Sequence, residues 1–467
     1  MAEHYNGKYS HRPEKRKKKK RLSPLIIILI IVACLVIAIF AIEKSLGGSP
    51  ADPVPSETTA PTTAPTEPPT EPPITKTSTA TISSMGDLLM HLPVINAYKS
   101  GDGYDFTGMF QYVKPYLTKA DYAVANLETT LFGTGMKYSG YPNFNCPDEI
   151  VDGALDAGID MLLNANNHST DTGAKGIART IEVLDEKGME RNGIAKDASE
   201  KRYVVKNLNG IKVGLICYTY ETNDDPVSVA LNGIPLAAPY DDLANTFAYG
   251  ELDTFYANLT AQLDLMKADG AEATVVYLHW GVEYQLSAND SQKAIAQKLC
   301  DLGVDVIIGG HPHVVQPVEL LSSNTDPEHK TVCLYSMGNA VSNQRLGNIS
   351  NIKTAHTEDG VLFSVTFAKY SNGDVLLESV NALPLWVNLY TTASGGKAYE
   401  ILPLDDQVDD WRTTLDLSDK SEAACRASYV RTMELVEKGI LAGNEYLDSV
   451  IKPDSEAYKA LKKQVAA

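Results

Sequence analysis

Between Leu25 and Ile42 the chain runs eighteen apolar residues without a charge. At about 1.5 Å per residue such a helix covers about 27 Å, close to the hydrocarbon thickness of a bilayer. The cluster Lys17–Arg21 lies just before it. Residues 1–24 carry nine Lys or Arg against Glu3 and Glu14, a charge of +7. Basic flanks stay on the cytoplasmic side, so this pattern predicts a single-pass cell-membrane protein with residues 1–24 inside and everything after residue 43 outside. A buried core helix would need amphipathic helices beside it, and none flanks this run. A nucleic-acid or nuclear-import role for the basic run fits its position poorly. A cleaved signal peptide is the serious rival. Its apolar region is usually only about 7–15 residues long, and Gly47-Gly48-Ser49 makes a poor cleavage site, so residues 25–43 read as an uncleaved signal-anchor.

Residues 47–76 are Pro-, Thr-, Ala- and Glu-rich, as in Pro61-Thr62-Thr63-Ala64-Pro65-Thr66-Glu67-Pro68-Pro69. Such a stretch cannot pack a core, and its prolines favour an extended chain of about 3.1 Å per residue, about 90 Å in all. It reads as a disordered spacer holding a domain off the membrane, with its Thr residues open to glycosylation. The total charge is -18, so the chain beyond residue 24 carries -25. An acidic body of that size excludes a nucleic-acid binder working through a broad basic surface. Five cysteines follow the apolar run: Cys146, Cys217, Cys300, Cys333 and Cys425. The odd count, with Cys217 and Cys333 in apolar strand patterns, favours buried thiols over a disulfide framework.

From residue 77 short apolar runs alternate with polar turns and helix-like stretches. Strands are expected at Ala80–Met85, Tyr122–Ala125, Ile159–Leu163, Ile211–Cys217, Ala273–Leu278, Val304–Ile308 and Thr331–Tyr335. Helices are expected at Glu149–Ala157, Ala174–Lys187, Leu252–Asp269 and Ser291–Leu302. Asn209-Gly210 and Asn372-Gly373 each split a pair of apolar runs, the signature of a hairpin. Together these predict an α/β domain with mixed sheets over 77–400. Residues 401–467 read as an accessory segment of polar helices (Glu422–Gly439, Glu445–Val450, Ser455–Val465) without a chemical motif.

Five of nine histidines (His91, His168, His279, His311, His313) follow expected strands closely, among Gly, Asn, Asp or Glu. Sites in open α/β sheets collect beyond the carboxyl ends of strands. Asp87, in Gly86-Asp87-Leu88-Leu89-Met90-His91, ends the first strand, where a carboxylate suits a divalent cation; the competing reading is a helix N-cap. Asn126-Leu127-Glu128 places a carboxylate at a second strand end, weak evidence alone. Asn164-Ala165-Asn166-Asn167-His168-Ser169-Thr170-Asp171-Thr172-Gly173 fits no helix or strand period. Its amide oxygens suit a metal and its His a substrate, against the alternative of an Asx-rich turn. His279-Trp280-Gly281-Val282-Glu283 follows a strongly apolar run, where a satisfied core histidine is the rival. His311 and His313, on the glycine-rich turn Gly309-Gly310-His311-Pro312-His313, can converge on adjoining metals. Gly338-Asn339 is a candidate pocket floor. The ligand types fit one or two divalent ions, with Mn, Zn or Fe favoured, as in centres that hold two cations about 3.5–4 Å apart.

Six motifs in order (Gly-Asp, Asn-Leu-Glu, Asn-Asn-His-x-x-Asp-x-Gly, His-Trp-Gly-x-Glu-Tyr, Gly-His-Pro-His-Val, Tyr-Ser-Met-Gly-Asn) span residues 80–343. They resemble the CapA family, the capsule-synthesis or PgsA-type poly-γ-glutamate biosynthesis proteins of the calcineurin-like metallophosphoesterase superfamily. That resemblance implies a four-layer αββα sandwich of two mixed sheets. It implies metal ligation by Asp87, a bridging Glu128, Asn167, His279, His311 and His313, with His168 as general acid or oxyanion stabiliser and Asp171 beside it in the catalytic set. Asn126, Asn164, Trp280, Glu283, Gly338 and Asn339 would line the substrate pocket. The superfamily's first strand usually reads Asp-x-His, but position 89 is Leu; His91, two residues further on, is the alternative that could take its place. Ala340 also stands where an aromatic often follows Gly-Asn. The implied role is a membrane-anchored, extracytoplasmic metallohydrolase in synthesis, release or attachment of an anionic surface polymer, poly-γ-glutamate or capsule. The alternative is a non-catalytic metal-binding subunit of a polymer synthesis or export complex.

Overall fold

The computed structural model describes residues 72–222, 228–350 and 352–465. The basic tail, the Leu25–Ile42 run and nearly all of the spacer lie outside the described residues. Among the described residues no helix is long and apolar enough to cross a membrane.

In chain order the main strands are β1 (Lys76–Leu88), β2 (Tyr122–Leu127), β3 (Met161–Leu163), β4 (Glu190–Asn192), β5 (Val204–Leu208), β6 (Ile211–Tyr220), β7 (Thr246–Phe247), β8 (Ala273–His279), β9 (Val306–Gly310), β10 (Val318–Ser322), β11 (Lys330–Leu334), β12 (Asn339–Val341), β13 (Asp359–Tyr370), β14 (Val375–Thr391) and β15 (Lys397–Pro403). The helices that matter are α1 (Leu92–Ala97), α2 (Glu149–Asp156), α3 (Gly173–Glu186), α4 (Leu252–Ala268), α5 (Asp290–Asp301), α6 (Asp419–Ser449) and α7 (Glu456–Val465). The result is a mixed α/β domain. An eight-stranded sheet runs β15-β14-β13-β1-β2-β3-β4, with β12 also on β1; a seven-stranded sheet runs β7-β6-β8-β9-β11-β10, with β5 on β6. Strands β1 to β4 pair in parallel, as do β6, β8, β9 and β11.

The apolar runs explain the packing. Strands of parallel sheets are covered on both faces and so lack polar alternation. In β8, Val275 and Tyr277 join Ile82 and Val124 of the other sheet in a cluster between the sheets. Val276 and Leu278 point the other way and pack with Phe255 and Leu259 of α4 and Ile295 and Leu299 of α5. Outside the first sheet, Ile150 and Val151 of α2 and Leu184 of α3 share a cluster with Met85 and Leu88. Both expected hairpins are present: β5 and β6 pair antiparallel around Asn209-Gly210, and β13 and β14 around Asn372-Gly373. All five cysteines among the described residues are free and buried.

The C-terminal segment differs from expectation. The helices expected at Glu422–Gly439 and Glu445–Val450 are one helix of 31 residues, α6. Gly439 and Gly443 look like stop signals, but they serve a close approach: a Cβ on Gly439 would stand 1.9 Å from the Val318 carbonyl oxygen. The helix also ties to β14, with the Asn444 side chain accepting from the Val380 N–H at 3.0 Å and donating to its carbonyl at 2.9 Å. Val436 and Leu447 belong to the cluster between the sheets.

One crossing fixes the carboxyl end of β1. The Asp87 N–H donates to the Gly338 carbonyl at 3.1 Å, and a Cβ on Gly86 would lie 1.9 Å from that same oxygen. Gly86→Ala must therefore push β1 away from the turn before β12. The expected cost is about 2 kcal/mol, with reduced metal content, read from a urea midpoint and metal analysis; an unchanged midpoint would show that the crossing has slack.

Candidate metal centre

The carboxyl ends of the parallel strands from both sheets meet at one place. The first sheet delivers candidate oxygen ligands: Asp87 near the end of β1, Glu128 just past β2 and Asn167 four residues past β3. The second delivers imidazoles: His279 as the last residue of β8, and His311 and His313 directly after β9. Register brings them together, since Asp87 pairs with Asn126 and Asn339, and His279 with Gly310.

The geometry gives two adjoining groups that could hold a cation. Glu128, His279 and His311 form one group with ligand atoms all within 4.8 Å of one another; Asp87, Glu128 and His313 form another, and all five residues are buried. Glu128 is common to both. Its Oε1 lies 3.6 Å from His279 Nε2 and 3.8 Å from His313 Nε2. Asn167 Oδ1 lies 2.8 Å from His279 Nε2. Neither Glu128 oxygen nor His311 Nδ1 has a hydrogen-bond partner, though all three atoms are buried. Buried polar atoms are rarely left unpaired, and three of them converging among carboxylate and imidazole donors fit a divalent cation. The electrostatics of the buried site point the same way. Burial, then the nearby Asp87 charge, drives the Glu128 carboxyl well above its usual range. Burial pushes His279 down to about 3 and His311 far below an ordinary imidazole. Neutral imidazoles are the form that binds metal.

A second layer holds these ligands. Asn126 donates to Asp87 Oδ1 at 2.8 Å and accepts from Asn166 at 3.1 Å. His313 Nδ1 is shared between Asp87 Oδ2 and Asn339 Oδ1, each at 3.1 Å, which turns Nε2 toward Glu128. The amide of Asn339 donates to the Thr357 carbonyl at 2.9 Å and to Gln344 at 3.1 Å. His311 and His313 both have left-handed backbones, with φ of 96° and 56°. Such strain in non-glycine residues collects at functional sites.

His168 stands beside the ligands. Its Nδ1 is 2.8 Å from Asp171 Oδ2, which also accepts the Phe144 N–H at 2.6 Å. The His168 ring packs edge-on to Phe144, centroids 4.6 Å apart. Burial raises the Asp171 carboxyl, and the His168 hydrogen bond pulls it partly back.

The other expected site residues divide. His91, expected as a ligand, belongs to neither acid–histidine group: its Nδ1 faces the Leu89 carbonyl and the Asn343 N–H, each at 3.3 Å. Its ring packs edge-on with Phe144, centroids 5.2 Å apart, and burial pushes it down to about 4. Trp280, expected on the substrate pocket, is fully buried in the outer core, with its indole N–H on the Tyr335 carbonyl at 2.9 Å. Asn164, also expected there, is a loop brace that accepts the Ile194 N–H at 3.0 Å. Gly338 is the turn under Asp87, and Asn339 positions His313 rather than flooring a pocket. Glu283 is exposed next to Tyr284, whose ring lies 6.3 Å from His313. Sequence reading missed Phe144, Thr357 and Gln344; none carries a metal-ligand signal, and only the fold brings them here.

Comparison with known proteins gives one matching family model, described as bacterial capsule synthesis protein PGA_cap, over residues 81–344. The capsule biosynthesis protein CapA of Bacillus anthracis is 28% identical over 64% of this chain and 66% of its own length. The PGA biosynthesis protein CapA of Bacillus subtilis (strain 168) is 26% identical over 56% of this chain and 63% of its own length. A protein named as a probable polyglutamine synthesis accessory protein in Mycobacterium tuberculosis is 24% identical over 58% of this chain and 67% of its own. The match thus spans just under two thirds of the length of the first two relatives. Among solved structures, the NAD nucleotidase of Haemophilus influenzae superposes with a TM-score of 0.38 at 11% identity, covering 79% of this chain and 60% of that one.

Proposed function

We propose, from the premise that this chain belongs to the bacterial capsule synthesis protein PGA_cap family, that it is a metal-dependent hydrolase acting on an anionic surface polymer of the capsule or poly-γ-glutamate class. The relatives' names supply the polymer class. The carrying observation is Glu128, buried and unpartnered at the junction of two acid–histidine groups. We place the domain with four-layer metallophosphoesterase-type αββα sandwiches, outside the cell on a Leu25–Ile42 anchor and a Pro/Thr-rich spacer; the charge asymmetry of the sequence supports that topology.

Asp87, Glu128 and His313 would hold one cation and Glu128, Asn167, His279 and His311 a second. Bound there, divalent ions supply Lewis acidity and make water a nucleophile near neutral pH. The chain's own residues do the rest. Asp171 fixes the His168 ring through Nδ1 and leaves Nε2 to donate a proton to a leaving oxygen or nitrogen. Phe144 packs against that ring and limits its tilt. Asn126 and Asn339 hold the acid and imidazole ligands at fixed angles, which keeps the site preorganised.

The test is metal analysis of the purified full chain with phosphodiesterase and polyglutamate-hydrolase assays of wild type and His168→Ala. We expect stoichiometric metal in both proteins and about a 100-fold lower rate in the variant. Bound metal without turnover on any polymer or ester would instead support a non-catalytic subunit.

A further inference from the structure

Away from the metal centre, a cavity of about 970 Å³ opens between β14, β15 and the start of α6. Apart from Gln111 and Tyr112, its lining comes from residues 345–424, beyond the family match at residue 344. The cavity therefore belongs to the part of this chain that the family model does not describe.

Its floor is a constructed polar cluster. Glu400, 5% exposed, accepts from Gln111 at 2.7 Å, Tyr390 at 2.8 Å and Asn388 at 3.2 Å. Asn388 is 4% exposed, and its Oδ1 is buried with no donor. An unpaired amide oxygen in a cavity lining calls for a ligand N–H or O–H. Around it stand exposed charges of both signs, with Asp416 just before the start of α6. Lys397 and Lys420 are exposed at the edge, and α6 begins there, capped where the Ser418 side chain accepts from the Ser421 N–H at 3.2 Å. The N-terminus of so long a helix favours anions.

Charge decides what enters. Arg345, Lys397 and Lys420 balance Glu358, Glu400 and Asp416 in this lining. A second cavity, of about 500 Å³, sets only Arg202 against Glu221, Asp241, Asp242 and Glu251 and would repel a polyanion. Of these two cavities, the neutral one, with Lys397 and Lys420 exposed on it, repels a carboxylated chain less.

Residues 343–345 run from the layer around the metal centre to the cavity wall, with Gln344 accepting from Asn339 at 3.1 Å. Asn343 contacts His91 through its N–H and accepts from Tyr399 Oη at 2.7 Å. Gln344 reaches Tyr284 Oη at 3.2 Å, and next to it Arg345 pairs with Glu358 on the cavity wall.

We infer that this cavity is a second polymer subsite, binding a carboxylate-bearing polyamide segment with its amide N–H groups toward Asn388 and its carboxylates toward Lys397, Lys420 and the start of α6. The ligand class rests on the polymer reading above; the site itself is separate from the metal centre.

The probe is a fluorescently labelled γ-linked oligoglutamate, titrated into the full chain and followed by anisotropy at two salt concentrations. Wild type is expected to bind, and more weakly at higher salt. Lys397→Glu with Lys420→Glu, both surface changes, is expected to lose about tenfold in affinity with unchanged metal content and thermal midpoint. Asn388→Leu is expected to weaken binding without changing the salt dependence. His168→Ala, a change at the metal centre, is assayed for turnover alongside, so that failure of the subsite and failure of catalysis are read separately. If that variant loses turnover while the lysine pair leaves oligomer affinity untouched, the subsite is wrong and the hydrolase reading survives. If the oligomer binds here but no polymer is cleaved, the reverse holds. Equal competition by a neutral oligosaccharide would also overturn the inference, since the two lysines would then have no part in it.

Discussion

Replacing Glu128 with Gln is expected to empty both acid–histidine groups of metal at once and to stabilise the metal-free protein. Glu128 is the residue common to the two groups, and it is fully buried with both oxygens unpartnered. A neutral amide offers no charge to either cation, so metal content should fall to near zero rather than by half. The gain in the metal-free state comes from removing a carboxyl that burial and Asp87 disfavour as an anion; we expect about 1–3 kcal/mol, set against an amide that is also poorly paired. The pH dependence has a definite sign. A carboxyl raised by folding holds a proton that the unfolded chain has already released. Its stabilising contribution is complete below the ordinary Glu range and is lost as pH rises through the raised value. Chelator-treated wild type should therefore lose stability with rising pH relative to Glu128→Gln, and the two curves should converge toward acid. Denaturant unfolding across pH with metal analysis checks both parts. One full equivalent of metal in the variant, or parallel pH curves, would sink the shared-ligand reading.

Much of this site was legible because its candidate ligands come from short motifs at strand ends. Asp87, Asn167, His279, His311 and His313 each follow an apolar run that had to be a buried strand, and parallel strands point their carboxyl ends one way. The misplaced residues lack that logic. Trp280 shares a motif with His279, yet neighbouring residues on a strand face opposite sides, so His279 reaches the site and Trp280 the outer core. His91 is close enough to the first-strand motif to suggest a ligand, but it stands at the N-cap of α1, with Nδ1 turned to main-chain atoms. Asn164 differs from Asn167 only by which way a non-repeating loop turns, and no periodicity encodes that. The full length of β14, strand β15 and the continuity of α6 were illegible for another reason, although the Asn372-Gly373 hairpin marked where β14 begins. Residues there are amphipathic and motif-poor, and the two glycines of α6 carry a packing role that a single sequence writes exactly as it writes a stop.

That long helix leads to the second large effect. Arg431→Met is expected to cost about 3 kcal/mol and to weaken metal binding, although α6 holds no ligand. Arg431 grips Asp359 through Nε at 3.0 Å and Nη2 at 2.8 Å, and Ser428 donates to the same carboxylate at 2.6 Å. Asp359 is 1% exposed. Burial drives its carboxyl upward, and the Arg431 hydrogen bonds and charge pull it back. Breaking one side of a buried pair costs about 3–5 kcal/mol because the other charge is stranded; the low end applies because the Arg431 side chain is itself 24% exposed and partly screened. Asp359→Asn combined with Arg431→Met strands nothing and should cost only about 1 kcal/mol. The reach to the metal runs through the backbone. Asp359 opens β13, and two residues before it the Thr357 carbonyl accepts from Asn339, which holds His313 Nδ1. Gly360 also bridges to Gly338, the turn beneath Asp87. Loosening this corner frees a ligand from each side of one cation site, so metal affinity should fall about tenfold in the single variant and recover in the double. Calorimetric metal titration and urea unfolding test both effects. A single variant within about 0.5 kcal/mol of wild type, or a double variant as unstable as the single, would show that the ion pair is no anchor and that α6 is only a cover on the sheets.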